Sequence, residues 1–322
     1  MFVNVTADDV VAAAHRLAGV ADRTPLIPSP KLSALSGCEV LLKLECLQRT
    51  GSFKLRGAYH TLLLLTDAEK QNGVIAASAG THGLGCAWAS QQLGIACVVF
   101  VPANAPLIKQ RGIRDLGATV DASGPTYDDA HRLAIKQAKV SGATYVSPTD
   151  GDALFAATGT IGLEILEDRP DIGTIVVCVG GGGLVGGIGR YAKSTKPGIR
   201  IVGAHSDTTN AMAVAVHAGK LVEIPVLPTL ADGLAGQIDA EGLVVGQSVV
   251  DAFTSVTEDE LGAAIAWVYR EHGLVVEGAG AVGIAAALGG QFAGSTAPIA
   301  ITVSGANIDA DVHASVLARY PA

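Results

Sequence analysis

Short apolar runs alternate with longer stretches of helical periodicity along nearly the whole chain. Runs at 40–44, 74–77, 98–101, 119–120, 144–146, 175–179, 201–203 and 299–303 have the length and β-branched content of buried strands. Between most of them, 81–93, 106–116, 127–140, 154–167 and 184–193 carry apolar positions at helical spacing. Thr257-Glu258-Asp259-Glu260 has the capping-box form and predicts a helix running to about Glu271. This alternation predicts an α/β fold of parallel sheets with helices on both faces, in three layers. The compact strand–helix units of 71–149 predict a small α/β domain inserted into a larger one built from 1–70 and 150–322.

Composition narrows the function classes. With 49% hydrophobic and 16% charged residues the chain has the apolar surface for a core, so disorder is excluded. A net charge of −8 and a pI near 5.4 leave no footprint for nucleic acid or an anionic membrane surface. An anionic ligand must therefore be held by a local device. Two long uncharged stretches, 172–189 and 278–308, are broken by four consecutive glycines and by Gly289-Gly290 and Pro298. Both read as strand, turn and helix inside a core rather than as membrane spans. The N-terminal sixteen residues read as an amphipathic helix and not as a signal peptide. Five cysteines without C-x-x-C spacing imply reduced thiols and a cytoplasmic protein. The eight histidines lack metal-ligand spacing, and no metal is expected.

Four segments carry candidate chemistry. In Thr50-Gly51-Ser52-Phe53-Lys54-Leu55-Arg56-Gly57-Ala58 a lysine follows a small polar turn and opens an apolar helix. Partial burial disfavours its ammonium form, so the amine can attack a carbonyl and form a Schiff base with an aldehyde cofactor. Gly180-Gly181-Gly182-Gly183-Leu184 follows a buried strand and precedes a helix. Converging backbone N–H groups and the helix N-terminus make a phosphate site there without lysine or arginine. The same loop satisfies G-x-G-x-x-G at Gly181, Gly183 and Gly186, so a dinucleotide site, and with it an NAD-dependent oxidoreductase, is the rival reading. Ser78-Ala79-Gly80-Thr81-His82-Gly83 follows another strand and suits a ligand carboxylate; its near match to G-x-S-x-G raises a serine nucleophile as the alternative. Ser304-Gly305-Ala306-Asn307 ends a fourth apolar strand, where α/β proteins place ligands.

Taken together with Thr24-Pro25-Leu26, Leu42-Lys43-Leu44-Glu45, Gln48, Ala231-Asp232-Gly233 and Glu277-Gly278-Ala279-Gly280-Ala281, these segments resemble the serine/threonine dehydratase branch of the fold-type II pyridoxal phosphate enzymes. The resemblance covers nearly the whole chain. It implies that Lys54 binds pyridoxal 5'-phosphate covalently and then acts as general base, that Phe53 packs on the ring, and that Gly180, Gly181, Gly182, Gly183 and Leu184 hold the phosphate. Ser304 would meet the pyridine nitrogen, Glu277 would line the site, and Ser78, Ala79, Gly80 and His82 would receive the substrate, with Ser78 counted as catalytic beside Lys54. The implied reaction is elimination and deamination of a small 3-hydroxy amino acid such as threonine or serine, by a homodimer or higher homo-oligomer. A bulkier substrate such as 3-hydroxyaspartate or phenylserine, or a catalytically silent cofactor- or amino-acid-binding protein, are the alternatives.

Three positions depart from that pattern. Thr81 occupies the place of an asparagine that bonds the cofactor's phenolic oxygen, and Ala79 the place where serine-racemising relatives carry a second serine. His205 replaces an acidic residue of the divalent-metal site found in some relatives. As the sequence runs only a short way beyond Ser304, the regulatory domain of larger threonine deaminases is not expected.

Overall fold

The computed structural model describes residues 5–321 apart from Ala79, Asn104 and Pro106. Its strands are β1 (Leu26–Pro28), β2 (Val40–Lys43), β3 (Val74–Ala77), β4 (Cys97–Pro102), β5 (Thr119–Gly124), β6 (Thr144–Tyr145), β7 (Thr174–Cys178), β8 (Arg200–Ser206), β9 (Ala252–Val256) and β10 (Ile299–Thr302). They form a six-stranded sheet in the order β1-β2-β10-β7-β8-β9 and a four-stranded sheet in the order β5-β4-β3-β6. Every pairing is parallel except β1–β2. The antiparallel β1 and the edge strand β9 escape the sequence pattern. β1 has only three residues and contains a proline, and β9 is half polar because one edge faces solvent. The α/β fold with two parallel-sheet units is otherwise as the alternation predicts.

The interior strands β2, β3 and β10 are buried at every residue, matching their unbroken apolar runs. Thr257 caps the Glu258–His272 helix through a full capping box. The four-stranded sheet is drawn from 74–145, yet Ala58 and Leu62 of the Lys54–Leu63 helix pack into its core. That helix lies between the two units. Gly85 of the Thr81–Leu93 helix admits its backbone (a β-carbon at Gly85 would sit 3.2 Å from the Lys54 carbonyl carbon), and Gly57 admits Leu154 of the Asp152–Asp168 helix.

Chain order reverses beside β3, whose neighbours are β4 and β6, and beside β7, whose neighbours are β8 and β10. Such switch points open a crevice at the carboxyl ends of the strands. Ser78 follows β3, Pro148 lies shortly after β6, Gly180 follows β7 and Ser304 follows β10. Both reversals therefore supply the same groove.

A buried ionic network fixes the helix that runs from Lys54. Arg56 Nε donates to Glu45 Oε2 at 2.9 Å and Nη1 to Glu164 Oε1 at 2.6 Å, while Lys43 Nζ donates to Glu164 Oε2 at 2.5 Å. Arg56 also reaches Thr160 and the Asp22 carbonyl, and Thr24 donates to Glu45. All four charged side chains are buried. Burial alone would lower the Arg56 pKa, but the two carboxylates outweigh it and hold the guanidinium charged. Removing one member leaves an uncompensated buried charge. Glu164→Ala should therefore lower the unfolding free energy by about 3–5 kcal/mol, read from urea denaturation; a loss under about 1 kcal/mol would show that the network does not anchor the helix.

Candidate active site

The approach to Lys54 is laced to the segment after β10. Cys46 N–H donates to Val303 O at 2.9 Å, Phe53 N–H to Ser304 O at 3.1 Å, and Ala306 N–H to Gly51 O at 2.8 Å. Ser52 and Gly305 form an antiparallel bridge, and Asn307 donates to Thr50 O. Gly305 is the hub. Its carbonyl accepts from Glu277 N–H at 3.0 Å, and a β-carbon there would lie 2.3 Å from Glu277 Oε1. The lysine, the serine and the glutamate are thus set relative to one another by main chain.

Lys54 begins its helix, with Nζ 5.0 Å from the centre of the Phe53 ring and donating to Pro148 O at 2.9 Å. The same carbonyl oxygen lies 2.8 Å from where a β-carbon on Gly183 would stand. The amine therefore sits beside the glycine loop and does not point away into bulk water. Burial pushes Lys54 down to about 8, against the opposing pull of Cys178, Cys86 and Glu277. Burial holds the Cys178 thiol up at about 11 and raises Cys86 as well, so both thiols are neutral when the lysine titrates.

The glycine loop has two explanations, and both operate. Gly182 adopts φ +106, a conformation that side chains disfavour. At Gly180, Gly181 and Gly183 a β-carbon would press on Leu234, Thr149 and Pro148 respectively. Packing thus accounts for the residue type at three positions. The same bareness presents the first turn of the Gly183–Thr195 helix to the crevice: its first intrahelical bond is Gly186 N–H to Gly182 O, which precedes no partner for Gly183, Leu184 or Val185 within the helix.

Ser78 Oγ accepts from Gly80 N–H at 2.9 Å, closing the turn that opens the Thr81–Leu93 helix. No described non-glycine residue has positive φ, so Ser78 lacks the strained backbone of a nucleophile elbow. Thr81 Oγ1 lies 3.5 Å from Glu277 Oε2. Burial, and then the charge of Asp232, raise Glu277 to about 7, although Lys109, Lys54 and Thr81 favour its ionised form. The His82 ring is buried against Val146 O at 3.0 Å and Cys86 Sγ at 3.4 Å, and burial pushes it down to about 3; its backbone N–H lies in the first turn of the helix. Ala79 lies outside the described residues.

Two groups escaped the sequence reading. Lys109, on the Leu107–Asp115 helix, and Asp232, within the quoted Ala231-Asp232-Gly233, meet at 3.2 Å across the crevice. Asp232 lay in a motif that carried no assigned role, and Lys109 had no local signal at all.

A family model described as pyridoxal-phosphate dependent enzyme matches residues 17–305. The chain belongs to that family. It is 39% identical over 312 residues to an L-threonine ammonia-lyase of Thermotoga maritima, covering 96% of this chain and 77% of that protein. Against the catabolic L-threonine dehydratase of Escherichia coli it is 37% identical, covering 95% and 94%. Among solved structures, maize serine racemase superposes with a TM-score of 0.92 at 31% identity, over 98% of this chain and 97% of that one. Threonine deaminase isoform 2 of Solanum lycopersicum gives 0.88 at 33% identity, over 98% and 89%. The dinucleotide reading of the glycine loop gives way to pyridoxal phosphate.

The residues fit this cofactor: an amine shielded beside Pro148 O, a bare glycine turn at a helix N-terminus next to it, and a buried neutral hydroxyl at Ser304. Because the Lys54 pKa is lowered, its neutral form appears from about pH 8 instead of about 10.5. Covalent attachment of added pyridoxal phosphate to stripped protein, followed by absorbance, should thus accelerate with pH and level off just above 8. Acceleration continuing toward pH 10 would place the amine in water.

Proposed function

We propose that the protein catalyses α,β-elimination of a small 3-hydroxy amino acid, threonine or serine, to a 2-oxo acid and ammonia. The observation that carries this reading is the meeting of Lys54, the glycine loop and Ser304 in one crevice, within a chain 36–39% identical to proteins named for threonine deamination.

When bound, pyridoxal phosphate supplies an electron-withdrawing ring that acidifies the substrate's Cα–H bond. The chain's own residues do the rest. Gly180, Gly181, Gly182, Gly183 and the Leu184 N–H would hold the phosphate, and Phe53 would pack against the ring. Ser304 would offer the pyridine nitrogen a neutral hydrogen-bond partner without a counter-charge, which tempers electron withdrawal and supports loss of the β-hydroxyl. Lys54, with a pKa near 8, takes the Cα proton. Ser78, Gly80 and the first-turn N–H groups of Thr81 and His82 orient the carboxylate. Alanine at 79 lacks the hydroxyl that serine-racemising relatives carry at that place in the sequence, which supports elimination over racemisation.

A dicarboxylic substrate such as 3-hydroxyaspartate needs a cation for its second carboxylate. The one beside the Ser78 turn, Lys109, is already paired with Asp232. This supports the small substrate. Free thiols, with Cys46, Cys86, Cys97 and Cys178 buried, support a reducing compartment such as the cytoplasm, and a homo-oligomer is part of the same proposal. The division into 1–70 with 150–322 and 71–149 puts Lys54, the glycine loop and Ser304 on one side of the crevice and the carboxylate turn on the other.

Lys54→Ala should remove the cofactor's visible absorbance and lower turnover at least about 10³-fold, measured as 2-oxo acid and ammonia released from threonine and serine. Wild-type protein that is yellow but releases neither product from any 3-hydroxy amino acid would replace this reading with a silent binding protein. Thr81→Asn should keep the cofactor and change its spectrum or the threonine-to-serine preference.

A further inference from the structure

Lys109 and Asp232 come from opposite walls of the crevice. Lys109 belongs to the helix after β4, and its side chain is nine-tenths buried. Its methylene stem lies on the substrate turn: a β-carbon on Gly80 would be 2.3 Å from Lys109 Cδ. Asp232 sits in a short 3-10 turn that packs on the Gly278–Leu288 helix, and its side chain is half exposed. Glu277, next to Thr81, feels both Lys109 and Lys54, which places the two amines around one buried carboxylate.

We propose that Asp232 is a specificity-determining residue: by occupying Lys109 across the crevice it denies a second carboxylate the cation it needs, and so restricts the site to monocarboxylic amino acids. The inference rests on the elimination reading for its place in catalysis but concerns ligand charge alone. A dicarboxylic amino acid entering this site must bring its distal carboxylate close to Asp232, where like charges repel, and must displace an existing ion pair to gain Lys109. The pair bridges both walls, and the Lys109 stem lies against Gly80 of the Ser78 turn. Lys109 is thereby a positioning residue for that turn, acting through Gly80.

The test uses the cofactor-loaded protein and two probes without a β-hydroxyl, L-alanine and L-aspartate, each titrated against the cofactor's absorbance. Wild type should bind alanine at least about tenfold more tightly than aspartate. Asp232→Asn, which keeps the side chain's volume, should shift that ratio about tenfold or more toward aspartate. Adding Lys109→Met should abolish the gain. Lys109→Met alone should shift the ratio the other way, because Asp232 then faces the ligand unpaired; this keeps the test decisive should the Asp232 variant lose its cofactor. An unchanged ratio in Asp232→Asn, a gain that survives without Lys109, or wild type binding aspartate as well as alanine would overturn the proposal, as would failure to bind either probe. Failure of the elimination reading looks different: both probes bind as described, but threonine and serine yield no 2-oxo acid.

Discussion

The geometry of this site depends on Arg56, held by Glu45 and Glu164 two residues beyond the lysine. Four buried charges gain little net stability, since desolvation offsets much of their attraction. They do fix position. Arg56 joins the Lys54–Leu63 helix to the segment after β2, to the Asp152–Asp168 helix and to the Asp22 carbonyl. Arginine suits this place because its planar fork gives each of two carboxylates a side-by-side pair of hydrogen bonds, which lysine's ammonium cannot reproduce. A reacting amine misplaced by about 1 Å costs a large factor in rate, so an expensive anchor adjacent to the amine has a functional logic.

The same helix shows burial producing opposite results. Arg56 is surrounded by carboxylates and stays charged, whereas Lys54, two residues earlier, has a carbonyl, two protonated thiols and a glutamate whose own pKa burial raises to about 7 for company. Its amine is therefore held near neutrality. Pairing, and not depth, separates the structural cation from the reactive one. The network also removes Glu45 and Glu164 from competition: their oxygens are filled by Arg56, Lys43 and Thr24, so neither carboxylate draws the lysine away from Pro148.

Much of this was legible in the chain because the informative features are local. The buried strands announce themselves as apolar runs, the Glu258 helix through its cap, and the lysine and glycine loop through unusual short sequences. What was hidden depends on distant partners. β9 is an edge strand whose polar half carries no strand signal, and β1 is too short to show alternation. His82 stands in a motif that suggests a ligand contact, but its ring turns to a carbonyl of β6's exit, 64 residues away. Lys109 and Asp232 are 123 residues apart and meet only because two sheets reverse their strand order at the same groove. The glycine run also says less than its rarity suggests, since packing against Leu234, Thr149 and Pro148 alone demands three of its four members.

The crevice must hold two anionic groups, a phosphate and a carboxylate, in a protein of net charge −8. Its amines are already committed: Lys54, with its pKa lowered to about 8, donates to Pro148 O, and Lys109 faces Asp232. What remains for anions is backbone. The Gly183–Thr195 helix begins at the large sheet's switch point and the Thr81–Leu93 helix at the small sheet's, so each wall presents one helix N-terminus. Helix termini attract anions without adding a second amine beside Lys54, the residue proposed to bind the cofactor. An acidic surface then repels stray polyanions while the two termini act within the groove. This division, backbone for binding and one unpaired amine for chemistry, explains why glycine-rich turns and so few basic side chains build the site.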